Sequence, residues 1–151
     1  MISIRSARLE DLDILLGFEQ GIVEAERPFD PTLKPGEINY YDIAALIKNS
    51  DAEVLVAQSG AEIVGSGYIL KKKSDDYRLH NHHAHIGFLY VKPSHRKRGV
   101  NKLILDGLIS WAQSQNLTEI QLEVYQDNIP ALRAYEKAGF IPSVLRMRLD
   151  P

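Results

Sequence analysis

Val91-Lys92-Pro93-Ser94-His95-Arg96-Lys97-Arg98-Gly99-Val100-Asn101-Lys102 is the stretch that decides the fold. An apolar run, His85 to Val91, leads into it, and an amphipathic run, Lys102 to Gln113, leads out. A strand that passes through a short basic turn into a helix makes an anion cradle. The first N–H groups of a helix have no intrahelical partner and lie at the positive end of its dipole. A phosphate or pyrophosphate is the natural ligand of such a place. His95, Arg96, Lys97 and Arg98 add positive charge on the approach side, and Gly99 lets the backbone come close.

The rest of the composition makes that basic run a local feature. The formal net charge is −2 over 151 residues, so the chain has no bulk attraction to nucleic acid or an anionic membrane. Apolar residues at 44% and charged residues at 25% suit one globular domain, residues 1–151, with a sizeable core. With no cysteine, neither a disulfide nor a thiol nucleophile enters the chemistry. Met1-Ile2-Ser3-Ile4-Arg5 does not read as a signal or transit peptide, and no apolar run approaches membrane-spanning length. A cytoplasmic protein is the default expectation.

Outward from the cradle, hydrophobic periodicity assigns the elements. Ile2 to Ala7 alternates as a strand, and Leu12, Leu15, Leu16, Ile22 and Val23 recur at helical spacing. Three prolines between Arg27 and Gly36 mark a loop. A second helix carries Ile43, Leu46 and Ile47, with Asn39 as its candidate cap. Val54–Ala57 and Ile63–Leu70 flank Ser59-Gly60 and predict a hairpin. His83 to Val91 is the next strand, and Ile120 to Tyr125 alternates as another. Asn128 caps a short helix that tolerates Pro130 in its first turn and ends at Gly139. Phe140 and Leu145–Leu149 predict final strands. The order is β-α-α-β-β-β-α-β-α-β-β. It predicts an α/β domain with a mixed, twisted sheet of about seven strands and four flanking helices.

These residues resemble the GNAT superfamily of acyl-CoA-dependent N-acetyltransferases. Its phosphate motif, Gln/Arg-x-x-Gly-x-Gly/Ala, appears as Arg96-Lys97-Arg98-Gly99-Val100-Asn101, with Asn101 departing from Gly or Ala. A second signature, Asn-x-x-Ala-x-x-x-Tyr-Glu-Lys-x-Gly-Phe, runs from Asn128 through Tyr135 to Phe140. The resemblance implies acetyl-CoA as co-substrate. It implies that Leu89, Tyr90 and Val91 pair with the pantetheine arm and that backbone amides from Lys97 to Lys102 hold the pyrophosphate. Arg96 and Arg98 belong to the same cofactor-binding stretch. Asn128 would help to bind the cofactor, and Tyr135 would protonate the departing thiolate.

The chemistry agrees with those roles. Attack of an amine on a thioester creates an oxyanion, which a strand-edge N–H near Leu89 or Val91 would stabilise. A thiol titrates near about 8.5 and a tyrosine near about 10, so Tyr135 stays protonated at neutral pH and has a proton to give. The run His80-Asn81-His82-His83-Ala84-His85 places His83 and His85 on one strand face. No carboxylate or further histidine completes a metal site there, so no metal is expected. Some arylalkylamine-type members of the family use strand histidines in this region, which favours His85 over His83 as the base. Glu123 is the second candidate. A bulge in the strand would change which side chains face the cleft.

In the family, the region from Glu26 to Glu37 walls the acceptor pocket. Arg27, Phe29 and Tyr40 are the candidate acceptor contacts, with Asp30 and Tyr41 beside them. Arg27 with Tyr40 would suit a carboxylate- or phosphonate-bearing acceptor. The leading expectation is acetyl transfer to the primary amine of a small molecule in a ternary complex. Acetylation of protein or peptide N-termini and a non-catalytic CoA sensor are the alternatives. Neither nucleic acid nor membrane is an expected partner. Many members of the family dimerise, so a homodimer is an expectation from resemblance.

Overall fold

The computed structural model describes residues 1–150. Five strands and four helices follow in the order β1 (Ile2–Ser6), α1 (Leu12–Glu26), α2 (Ile43–Lys48), β2 (Ala52–Ser59), β3 (Glu62–Lys73), β4 (His82–Val91), α3 (Val100–Ser114), β5 (Ile120–Leu122) and α4 (Ile129–Lys137). The sheet runs β1-β2-β3-β4-β5. Its first three pairings are antiparallel and β4 with β5 is parallel. The mixed sheet and the element order through α4 match the expectation.

Three expectations are corrected. The sheet has five strands rather than about seven, because residues 141–150 form none. Leu145 to Leu149 alternates as a strand should, but a strand needs a neighbour for its N–H and C=O groups, and no pairing reaches this segment. Ile141, Val144, Leu145, Met147 and Leu149 are accordingly exposed. Secondly, β5 stops at Leu122 rather than Tyr125, where its ladder with β4 ends. Thirdly, Asp42 rather than Asn39 caps α2, its carboxylate accepting from the Ala45 amide at 3.1 Å.

Each face of the sheet carries its own core. Leu55, Val64, Ile69, Ile86, Ile104 and Leu108 pack under α3. Leu15, Phe18, Ile22, Ile43, Val56 and Phe88 pack under α1 and α2. Each fully buried side chain of this kind stabilises by roughly 1.5–3 kcal/mol.

A bulge in β4 sets the geometry of the site. Phe88 has φ +58°, and the β3–β4 register shifts between Ser66 and Tyr68. Ala84 and Ile86 face the α3 core, but Phe88 and Tyr90 face the α1 core and Leu89 and Val91 turn to α3. One extra residue has reversed the phase of the strand. Gly67 lies opposite the bulge. A Cβ there would sit 2.7 Å from Ile104 Cγ2 and 2.9 Å from Leu89 Cδ2. Buried Ser66 donates to the Phe88 carbonyl at 3.1 Å and ties the bulge to β3.

Candidate active site

The donor half is built from backbone. The β4–β5 ladder ends at Ile86 and Leu122. Beyond it, Lys92 N–H donates towards β3, to the Val64 carbonyl at 2.8 Å. Strand alternation therefore turns the polar groups of Leu89 and Val91 to the opposite, unpaired edge. Arg96 already reaches that edge, with Nε 2.9 Å from the Val91 carbonyl and the guanidinium 5.8 Å from the Tyr90 ring centroid.

The cradle follows. Lys97 at φ +63° and Gly99 at φ +78° wind the turn so that α3 starts at Val100. Its first intrahelical bond is Leu103 N–H to the Gly99 carbonyl, at 3.1 Å, and no side chain caps the helix. The amides of Gly99, Val100, Asn101 and Lys102 are thus left without helical partners, which is the anion-binding state of a helix start. Lys92 pairs with Glu62 at 2.6 Å and Lys102 with Asp106 at 2.7 Å. Lys97 and Arg98 are exposed and in no ion pair among the described residues, so their charge is free for a ligand.

The candidate side chains for the reacting half come from α1, the 27–41 segment, β4, the chain just past β5 and α4. Asn128 caps α4 through its Oδ1, 3.4 Å from the Ala131 amide, and Gly139 at φ +106° ends it. Tyr135 on this helix meets Phe140 edge-on at 6.3 Å. Burial, with Glu26 adding to it, pushes the Tyr135 hydroxyl up to about 12. His85 lies against Tyr68, with ring centroids 6.1 Å apart. Burial holds His85 below its ordinary value, Lys72 and His83 act the same way, and Glu123 opposes them. Glu123 is exposed just past the end of β5. His83 is engaged by Ser74, at 2.8 Å.

The 27–41 segment closes over this end. Tyr125 donates to Asp30 at 2.6 Å, and its ring stacks on Phe29 at 6.2 Å. Hydrogen bonds from Thr32 and Tyr125 hold the Asp30 carboxyl at about 2. Arg27 is committed to the loop: it donates to Glu24 and to the carbonyls of Lys34 and Gly36. Tyr40 carries a hydroxyl that is shut off from solvent beside the Glu26 carboxylate. Desolvation and the neighbouring Glu26 push that hydroxyl well above its usual range. Glu26 itself is raised by burial and by Asp30, with Tyr40 acting against them.

Sequence reasoning missed Glu26, Tyr125 and Glu19 here. Glu19 is fully buried on α1, and its Oε2 accepts from the amides of Tyr40 at 2.7 Å and Tyr41 at 2.9 Å. Gln20 donates to the Ile38 carbonyl at 2.6 Å and accepts from its amide at 3.3 Å. Two adjacent polar side chains thus fix the 38–41 segment to α1. A charged residue within an otherwise apolar helical stripe is the one signal that pointed to Glu19. Shallow hollows lined by Gln113, Asn116 and Ile120, and by Lys71, His80 and Gln115, lie at the opposite end of β5 and take no part.

The family profile described as Acetyltransferase (GNAT) family matches residues 20–140. The chain belongs to this family of acyltransferases, whose acyl donor is acetyl-CoA. Among individual relatives, it is 37% identical over 57 residues to a streptothricin acetyltransferase of Escherichia coli, covering 38% of this chain and 33% of that protein. It is 25% identical over 144 residues to an N-alpha-acetyltransferase of Sulfurisphaera tokodaii, covering 91% and 78%. The chain spans less than half the length of two of its curated relatives, 33% and 47%. A solved structure, a predicted acetyltransferase with acetyl-CoA from Clostridium acetobutylicum, shares the fold at TM-score 0.74 and 19% identity, over 99% of this chain and 96% of that one.

Proposed function

We propose that this chain moves the acetyl group of acetyl-CoA to the primary amine of a small molecule, by direct attack in a ternary complex. One observation carries the reading: the unpaired edge of β4 runs straight into an uncapped helix start. That juxtaposition fits a ligand with an amide-bearing arm and a pyrophosphate. Leu89, Tyr90 and Val91 would take the arm as an added strand takes its neighbour. The amides from Lys97 to Lys102 would hold the phosphates, with Arg96, Arg98 and Lys97 supplying charge. Asn101 serves through its N–H, and Asn128, the cap of α4, adds a further contact to the coenzyme.

Acetyl-CoA supplies an activated acyl group; the chain's residues do the rest. His85, kept neutral by burial, takes a proton from the incoming ammonium, with Glu123 as the second candidate base. The Leu89 amide donates to the oxyanion, a contact worth roughly 3 kcal/mol. Tyr135 gives its phenolic proton to the departing sulfur. Its raised value keeps that proton in place at pH 7. Phe29 and Tyr40 line the acceptor side, whereas Arg27 shapes the loop that carries them.

A small acceptor is favoured by the Asp30–Tyr125 bond, which joins the 27–41 segment to the chain beyond β5. The relative named for streptothricin points the same way. Acetylation of protein N-termini is the second reading, favoured by the long match to the Sulfurisphaera tokodaii protein. We place the protein in the cytoplasm and expect a homodimer; no helix among the described residues is long and apolar enough to cross a membrane. The test is acetyl-CoA-dependent thiol release over a panel of small amines and peptides. Small amines reacting faster than peptides supports the proposal. A calorimetric titration with acetyl-CoA that gives no heat overturns it.

A further inference from the structure

β5 is the last strand of the sheet, and its outer edge is open. Towards β4, the Glu119 carbonyl accepts from the Ala84 amide at 2.8 Å. Strand alternation therefore turns the N–H and C=O groups of Ile120 and Leu122 to the outer edge, where no strand meets them among the described residues. The side chains of Ile120 and Leu122 pack on the α3 core but are only partly buried, since the sheet ends there. An open strand edge is a template for pairing with another strand.

The same molecule carries a segment that matches this edge without using it. Leu145, Met147 and Leu149 alternate with Arg146 and Arg148. They form no strand, and the three apolar side chains are 60%, 85% and 92% exposed. With Ile141 and Val144 they make the densest run of exposed large apolar residues in the described chain. A contiguous patch of this kind marks an interaction surface. Phase and charge both fit β5. Ile120 and Leu122 face the α3 core, so Gln121 falls on the other side, with Glu119 and Glu123 in step with it. A strand laid along β5 with Leu145, Met147 and Leu149 towards the α3 core sets Arg146 and Arg148 on that acidic side, an opposite-charge match across strands.

Edge and segment match in hydrogen-bonding capacity, apolar phase and charge, yet do not meet within one chain. A second copy satisfies both. Independently of the acetyl-transfer reading, we propose that residues 144–149 of one copy add as a sixth strand to the open edge of β5 in a second copy, each copy giving its segment and receiving the other's. Reciprocal exchange closes after two chains, whereas one-way addition would grow a filament. The exchange gives the expected homodimer a defined contact and covers the exposed apolar run.

Light scattering at micromolar concentrations should give the mass of two chains. A chain ending at Ser143 should give the mass of one and keep a cooperative thermal melt. In the full chain, Arg146→Glu together with Arg148→Glu should weaken self-association about tenfold, and adding Glu119→Lys with Glu123→Lys should restore it. The chain has no cysteine, so introduced thiols report cleanly on who meets whom. Gln121→Cys is combined with Arg146→Cys in one variant and with Arg148→Cys in another. At least one of these should oxidise to a covalent two-chain product on a non-reducing gel. A single-chain mass at every concentration, or a two-chain mass that survives removal of residues 144–151, overturns the proposal. So does a disulfide closed within one chain, or no disulfide in either variant.

Discussion

In the proposed mechanism Tyr135 and His85 face opposite demands, and burial acts in the required direction on each. A proton donor must keep its proton at neutral pH, and the Tyr135 hydroxyl, pushed up to about 12, does. A base must be free of its proton, and His85, held below its usual value, is. Tyr135→Phe should lower kcat by about 100-fold or more while leaving the acetyl-CoA Kd unchanged, read by steady-state kinetics and calorimetry. For His85 the unfolded chain binds the proton more readily than the folded one. Its contribution to stability is therefore whole above about 6.5 and declines as the pH falls from there towards the depressed folded value. Thermal melts from pH 7 to 5 should show a slope that His85→Gln reduces. Asn128 and Gly139 were legible because their structural roles are local: a helix cap and a left-handed turn. Glu26, Glu19 and Tyr125 were not. Glu19 meets Tyr40 across 21 positions and Tyr125 meets Asp30 across 95, and no local pattern encodes such meetings.

At the level of elements, the β4 bulge and the α1 clamp do most to place the site. Gly67 leaves room for the bulge, so Gly67→Ala must displace Leu89 or Ile104. We expect a loss of about 1–3 kcal/mol in urea unfolding, together with weaker acetyl-CoA binding, because Leu89 lies on the edge proposed to take the arm. Glu19→Ala leaves two amides without acceptors and should cost about 2–4 kcal/mol. It should also raise the acceptor KM more than the acetyl-CoA KM, since the segment it frees is the proposed acceptor side. The hairpin, the parallel β4–α3–β5 unit and α4 were readable, each from a periodicity joined to a turn or cap residue. The last strands were misread because alternation from Leu145 to Leu149 states only that a strand is feasible; the partner is a property of the sheet. Asn39 and Asp42 are equivalent as capping types, and only the position where α2 begins separates them.

Over the whole molecule, the sheet keeps two cores apart while α3 and α1 brace opposite faces. A ligand lodged at the cradle touches β4 and α3 together, and so should stabilise the entire fold. Acetyl-CoA at a hundred times its Kd should add roughly 2.7 kcal/mol. That is a rise in Tm of roughly 5–10 °C for a chain of this size, checked by differential scanning fluorimetry. Absence of any rise would argue against the cradle as a CoA site. The phase reversal at Phe88 carries a consequence for engineering. In the proposed mechanism, His85 upstream of it acts on the acceptor, and the strand's free margin downstream serves the acyl carrier. The two duties share a strand but not a rotational setting, so the choice of amine is open to redesign without loosening the grip on the coenzyme.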